Sequence, residues 1–328
     1  MSALPILKLP ILVLMKILRI IDVETVIPIS LCSRKMYHLV KTFRDKSDTL
    51  RLKMDGIDLR VQLATPDGNY HEVEVVAGTS ETAEWVKIDG HLVPIDRSRK
   101  HHGWNTYWDD KVKRMQSIME YLSDLFGIKN VTTIIVTRGT MRLLDILKER
   151  QENDYELVIY HQLSEKESHF ILENHPAKVL RIEGFSHNFP IAKHLKSIDS
   201  LIVGSKLSIT LDDLLDMDCV ELVLMGNRLT GTGLKRILQH WAIDGFRRLK
   251  YLRLRVWDFN LEDVLRDLDG LTYTRMAGKR TYRSNIEYPT FGHLLITRND
   301  GVVASFDYYR HVGIVQFGVW PDSKGNTN

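Results

Sequence analysis

Gly226 and Gly231 have the glycine spacing of the phosphate-cradling G-x-x-x-x-G-K-[ST] loop, in which backbone N–H groups and a lysine hold a nucleotide. Thr232 stands where that lysine must be, so the cradle lacks its cation and nucleotide chemistry is not expected. Asp212, Asp213, Asp216 and Asp218 could in principle ligate calcium. They lack the alternate-residue spacing and central glycine of a calcium loop, and carboxylates gathered at a helix N-terminus explain them better. His101 and His102 are adjacent and would diverge on a helix, and no H-E-x-x-H is present. Serine, histidine and aspartate are plentiful, but no G-x-S-x-G elbow occurs. The two cysteines, Cys32 and Cys219, make neither a disulfide framework nor a zinc cluster. Such sparse use suits a reducing compartment. No enzyme, cofactor or metal is therefore expected, and the chain is expected to be soluble, in cytoplasm or nucleus.

One cluster joins cations to an aromatic: Arg247, Arg248, Lys250, Arg253, Arg255 and Trp257. It reads either as a nucleic-acid surface or as a solvated strand edge, with the edge preferred. The overall balance, 45 − 42 = +3, excludes a nucleic-acid-coating chain. With 44% hydrophobic and 27% charged residues the 328-residue chain is globular, and at about 150 residues per domain it holds about two domains.

The N-terminus is apolar but not a membrane span. Its longest uncharged run, Leu9 to Met15, is seven residues, against about 20 for a spanning helix. Pro10 suits a helix start. Ile11 to Met15 then run apolar without a break, followed by Ile17, Leu18, Ile20 and Ile21. Asp22 or Thr25 could cap a second helix, in which Pro28 should force a kink or restart. A third runs from Ser33 to Phe43. Residues 1–46 carry eight Lys/Arg and three Asp/Glu, +5, leaving −2 for the remainder. A helix apolar nearly all round must be buried nearly all round, so this head packs either on a partner or on its own chain.

Leu4-Pro5, Leu9-Pro10, Val13-Leu14, Ile17-Leu18, Asp22, Ser30-Leu31-Cys32-Ser33-Arg34-Lys35 and Leu39-Val40 fall in an order and spacing that resembles an F-box of the nematode type. The resemblance implies a module that docks on a Skp-family adaptor and, through it, on the cullin and RING subunits of a ubiquitin ligase. On that analogy Leu9, Pro10, Val13, Leu14, Ile17, Leu18, Leu31 and Cys32 face the adaptor. Leu12 departs from the pattern, since many F-boxes have an acidic residue there.

The middle of the chain repeats. Apolar anchors at Ile134, Leu157, Leu180, Leu201, Leu222 and Leu252 are separated by steps of 23, 23, 21, 21 and 30 residues. The first four steps have the period of leucine-rich repeats, about 20–29 residues, and the last is longer because the helical stretch over 232–245 is long. Helical stretches lie between them: 140–150, 164–174, 190–197, 210–216, 232–245 and 261–268. Only Leu222 to Asn227 matches Leu-x-Leu-x-x-Asn, so the repeat is degenerate. A helix over 109–126 precedes it, with Met115, Ile118, Met119, Leu122 and Leu125 on one face. Hairpins are expected at 58–63 with 70–76 and at 293–298 with 302–308, the latter joined by a strand over 312–320. The segment from Arg97 to Trp108 reads as an exposed loop. Leu229 to Trp241, followed by Arg248 to Leu252, resembles the type-2 F-box-associated domain found behind nematode F-boxes.

The expected architecture is α/β: a three-helix F-box at 1–46, then a curved leucine-rich-repeat-like body over 47–328 flanked by hairpins, with the F-box-associated region at about 190–270. The joint is expected near 44–56. The function expected is that of a substrate receptor for ubiquitination, with a repeat scaffold lacking any ubiquitin role as the alternative, and with neither nucleic acid nor membrane as partner. Within the strands the middle residues Ile135, Val158, Arg181, Ile202, Val223 and Arg253 point away from the helices. Four of the six are apolar, so that face is either covered, by the hairpins, or used for binding. Arg253, Arg255 and Trp257 are the expected docking site for an acidic target.

Overall fold

The computed structural model describes residues 8–44, 50–65, 70–76, 81–88, 90–97, 103–160, 163–183, 191–194, 196, 198–204, 209–257, 259–266, 268–321 and 326. The chain is mixed α/β, with a helical N-terminal region and a large strand-rich body. It forms two compact units, Met1–Tyr155 and Glu156–Asn328.

The first unit opens with α1 (Ile11–Ile20), α2 (Val23–Leu31) and α3 (Arg34–Phe43). Asp22 caps α2 by accepting from the Thr25 N–H, and Ser33 caps α3 by accepting from Met36. Of the kink or restart expected at Pro28, the restart does not occur: α2 runs through it to Leu31, and the proline leaves the Glu24 carbonyl without its helical donor. Strands β1 (Arg51–Asp55), β2 (Arg60–Ala64), β3 (Tyr70–Val76), β4 (Glu84–Ile88), β5 (His91–Arg97) and β6 (Gly103–Tyr107) follow, then α4 (Lys111–Phe126), β7 (Val131–Val136) and α5 (Arg142–Arg150).

The strand order within this unit is β7-β1-β2-β3-β6-β5-β4. The expected hairpin is the antiparallel β2–β3 pair; its turn at 66–69 lies outside the described residues. Residues 103–107, expected in a loop, form β6, which inserts parallel to β3 between β3 and β5. Residues 98–102, with His101 and His102, lie outside the described set, as do 45–49 of the expected joint. Helix α4 packs across β1 to β4, and its five expected inward residues are all buried. It ends at Gly127, whose φ of 70° is the left-handed conformation a glycine cap supplies.

The second unit holds β8 (Glu156–Tyr160), α6 (Glu165–Asn174), β9 (Val179–Glu183), β10 (Ser200–Val203), α7 (Leu211–Leu215), β11 (Glu221–Leu229), α8 (Gly231–Ala242), β12 (Tyr251–Val256) and α9 (Leu261–Leu265). Antiparallel strands complete it: β13 (Leu271–Arg275), the short β14 (Arg280–Thr281) and β15 (Thr290–Phe291), then β16 (Leu294–Arg298), β17 (Val303–Tyr309) and β18 (Ile314–Trp320). Strands β8 to β12 are parallel and lie in chain order. Leu157 pairs with Leu180, Leu180 with Leu201, Leu201 with Leu222 and Leu222 with Leu252, all at most 3% exposed. Ile134 is likewise buried, in the first unit. The helix expected at 190–197 is a short 3₁₀ turn, Ile191–His194, among the described residues.

The outer face of these strands is covered, but not by the hairpins. The C-terminal hairpin extends the sheet edge to edge, β18 pairing antiparallel with β12, because the open edge of β12 offers the hydrogen bonds its strands need. The cover is the excursion between β13 and β16. Tyr282 and Phe291, both fully buried, pack with Trp320 on Val179, Ile202, Val223 and Tyr251. The Tyr282 hydroxyl donates to the carbonyls of Lys250 and Val319. Beneath it Glu221, 0% exposed, accepts from the Ser200 hydroxyl at 2.9 Å and from the Asn285 N–H at 2.9 and 3.0 Å.

Candidate functional site

Helix α1 has two faces. Pro10 starts it and accepts from the N–H groups of Val13 and Leu14. Leu14 and Leu18, four residues apart, are buried on the side from which α1 meets α3. At 100° per residue the opposite side carries Leu12, Lys16 and Ile20, flanked by Val13 and Ile17. Leu12 is 69% exposed, Ile20 81%, Ile11 51% and Val13 43%. This corrects the sequence reading in one respect: Leu14 and Leu18 are core residues and not part of an exposed patch. Of the other expected docking residues, Pro10 and Cys32 are exposed, and Leu9, Ile17 and Leu31 half-buried. The reading missed Ile11, Leu12 and Ile20. A helical-wheel projection from Pro10 would have found Leu12 and Ile20; Ile11 projects toward the Leu14 and Leu18 side and is 51% exposed at the first position of α1. Lys8, Lys16, Arg34 and Lys35 are exposed on the same head.

The head is anchored through its other helices. Ser30 of α2 and Tyr121 of α4 share a hydrogen bond of 2.7 Å, and burial pushes the Tyr121 phenol above its ordinary range. Asp124 of α4 accepts from the Tyr37 hydroxyl and, at 2.5 Å, from Lys41, both on α3. Burial raises the Asp124 carboxyl, but the bonds from Lys41 and Tyr37 more than offset this and hold it below its ordinary value. Glu24 pairs with Arg97 at 2.9 Å, and Arg44 lies over the Phe126 ring. Thus α2 and α3 are fixed to the strand-rich part of the unit while α1 turns an apolar stripe outward.

In the second unit Arg253 is already occupied. Its Nη1 meets Glu287 at 2.5 Å, and Glu287 also accepts from the Tyr251 hydroxyl. Arg255 is half-buried, and Trp257 is 38% exposed beneath the Arg228 guanidinium, 5.2 Å from the ring centre. Among the described residues no three His, Cys, Asp or Glu side chains converge as a metal would need. Cys219 is buried at its repeat position, and burial pushes its thiol up to about 12. No helix among the described residues is long and apolar enough to cross a membrane.

The family model of the F-box domain matches residues 6–48, and that of the F-box associated domain matches residues 191–254. An uncharacterized protein of Caenorhabditis elegans is 21% identical over 280 residues, covering 80% of this chain and 77% of its own. No solved structure matches the chain.

Proposed function

We propose, from the premise that the chain is an F-box protein of the nematode type with an F-box associated domain, that it is a substrate receptor which bridges a Skp-family adaptor to a target for ubiquitination. The observation that carries this is the bare apolar stripe on α1, inside the segment the F-box model matches. An exposed patch of this kind marks an interaction site. The docking residues are Leu9, Pro10, Val13, Ile17, Leu31 and Cys32, with Ile11, Leu12 and Ile20 added and Leu14 and Leu18 supporting them from behind. The adaptor in turn links the chain to cullin and RING subunits, where the catalysis resides. Residues 1–46 are the docking module and 47–328 the recognition body, working in cytoplasm or nucleus.

The stacked anchors of β8 to β12 support treating that body as leucine-rich-repeat-like. Such a scaffold without a ubiquitin role is the competing reading. The two part on one experiment: the purified full chain mixed with a Skp-family adaptor and followed by size-exclusion chromatography. A stable complex, lost on Ile17→Asp, supports the receptor. Absence of a complex, or one indifferent to that change, leaves the scaffold.

A further inference from the structure

Strands β11 and β12 do not keep one register to their ends. Their pairing shifts between Leu224 and Arg228, and the irregularity sets Arg228 directly beside Arg255. The row continues through Ile314 to Tyr309 on β18 and β17. Arg228 and Arg255 thus stand in register on neighbouring strands, whose backbones lie about 4.8 Å apart, and like charges placed opposite each other disfavour the pairing. Among the described residues neither has an ion-pair partner, and the Arg255 Nε is closed off from solvent with no acceptor. Arg253, one step along the same face, is neutralised by Glu287, so the charge left over belongs to the Arg228–Arg255 pair.

Trp257 completes the constellation. It lies under Arg228 and against the turn at Gly313, where a Cβ would stand 3.3 Å from its ring. Gly313 has a φ of +64°, so the turn that seats the ring is one a side chain would strain. The indole is therefore held in place while the residue as a whole stays 38% exposed.

We propose that Arg228, Arg255 and Trp257 dock an unmodified acidic segment of a protein target, with carboxylates on the guanidinium pair and an apolar side chain on the indole. This rests on the receptor reading and gives its target a chemistry. Charge complementarity chooses the occupant. The open cationic row is two residues wide, because Glu287 already neutralises Arg253 and the buried Asp307 is held by the Gly292 and His293 N–H groups. A polyanion such as a nucleic acid needs a longer row of cations, whereas a short acidic segment matches this one.

The test needs no adaptor, so its failure is separate from failure of the receptor reading. An array of hexapeptides with paired Glu or Asp beside a Leu, the same peptides with Gln or Asn, and the same peptides with phosphoserine, is probed with the full chain. The best binder is then titrated by fluorescence anisotropy. Arg228→Ala with Arg255→Ala should weaken it by about tenfold or more, and Trp257→Ala by a comparable factor. The charge-matched control, Arg247→Ala with Arg266→Ala, removes two exposed, Asp-paired arginines and should change it by less than about twofold. Circular dichroism melts identify any variant that fails to fold. For such a variant the charge-preserving Arg228→Lys with Arg255→Lys takes its place, with loss of affinity again expected. No preference for acidic over amide peptides overturns the proposal. So do equal losses in site and control variants, or binding seen only with phosphorylated peptides.

Discussion

Leu18 and Ile20 are two residues apart on α1 and face opposite ways, 0% against 81% exposed. Leu18→Ala deletes buried carbons and leaves a gap, a change that costs about 2–5 kcal/mol of stability. Because α1 packs on α3 from one side, the gap can partly collapse, and the expected loss is near the lower end, about 2–3 kcal/mol. Ile20→Asp removes little burial. Its carboxylate sits at the C-terminal end of the helix, where the dipole disfavours it by about 0.3–1 kcal/mol. In the adaptor complex that carboxylate would be desolvated without a partner, and about 3 kcal/mol is a moderate figure for such a penalty. That corresponds to a Kd raised about a hundredfold. Urea denaturation followed by circular dichroism reads the first effect, and calorimetric titration with a Skp-family adaptor reads the second. Leu18→Ala should unfold early yet bind normally while folded. Ile20→Asp should unfold almost normally and bind poorly. Full-strength binding by a folded Ile20→Asp chain would refute the assignment of the outer stripe to docking.

Iodoacetamide at about pH 8 should alkylate Cys32 and spare Cys219, whose buried thiol titrates at about 12. Bound adaptor should protect Cys32, as read by mass spectrometry. Tyr282→Phe removes hydroxyl bonds of 2.8 and 3.1 Å to the Lys250 and Val319 carbonyls and should cost about 1–2 kcal/mol in urea melts. Asp124 ionises below its ordinary value of 3.8 in the folded chain, so its stabilising effect is present above that value and fades as pH falls through the folded one. The exposed pair with Lys41 contributes at most about 1 kcal/mol. Asp124→Asn should therefore destabilise the chain at neutral pH and match the parent in acid.

The parts of the fold legible in the sequence were those decided locally. Ser164 and Glu167 form a capping box, as do Thr210 and Asp213, and each marks its helix start within a few residues of chain. The anchor spacing works because each Leu stacks on the next through regular parallel pairing. What was not legible depended on distant partners. Nothing near Gly103 announces that residues 103–107 will pair with β3, some 30 residues earlier. Arg228 reaches Arg255 only through an irregularity of β11, which no periodicity encodes. Leu14 and Leu18 were placed at the adaptor by the F-box resemblance, which carries Val13-Leu14 and Ile17-Leu18 as pairs, whereas 100° per residue turns neighbours apart.

The treatment of apolar surface differs between the two places where the sequence leaves it in excess. On the outer side of β9 to β12 the excess is answered within the chain: Tyr282, Phe291 and Trp320 close over Ile202 and Val223, and Glu221 receives the Asn285 N–H below them. On α1 no described residue answers it, although α2 and α3 beside it are anchored to α4 by Ser30, Tyr37 and Lys41. A chain able to build a cover for one apolar face, and to fix the helices of its head by specific polar bonds, leaves the outer side of α1 bare. Burying Leu12, Val13 and Ile20 would release about 1.5–3 kcal/mol for each side chain fully covered. That free energy is available to a partner because the fold does not consume it. The rigid seating of α2 and α3 lowers the ordering entropy lost when a partner takes it up.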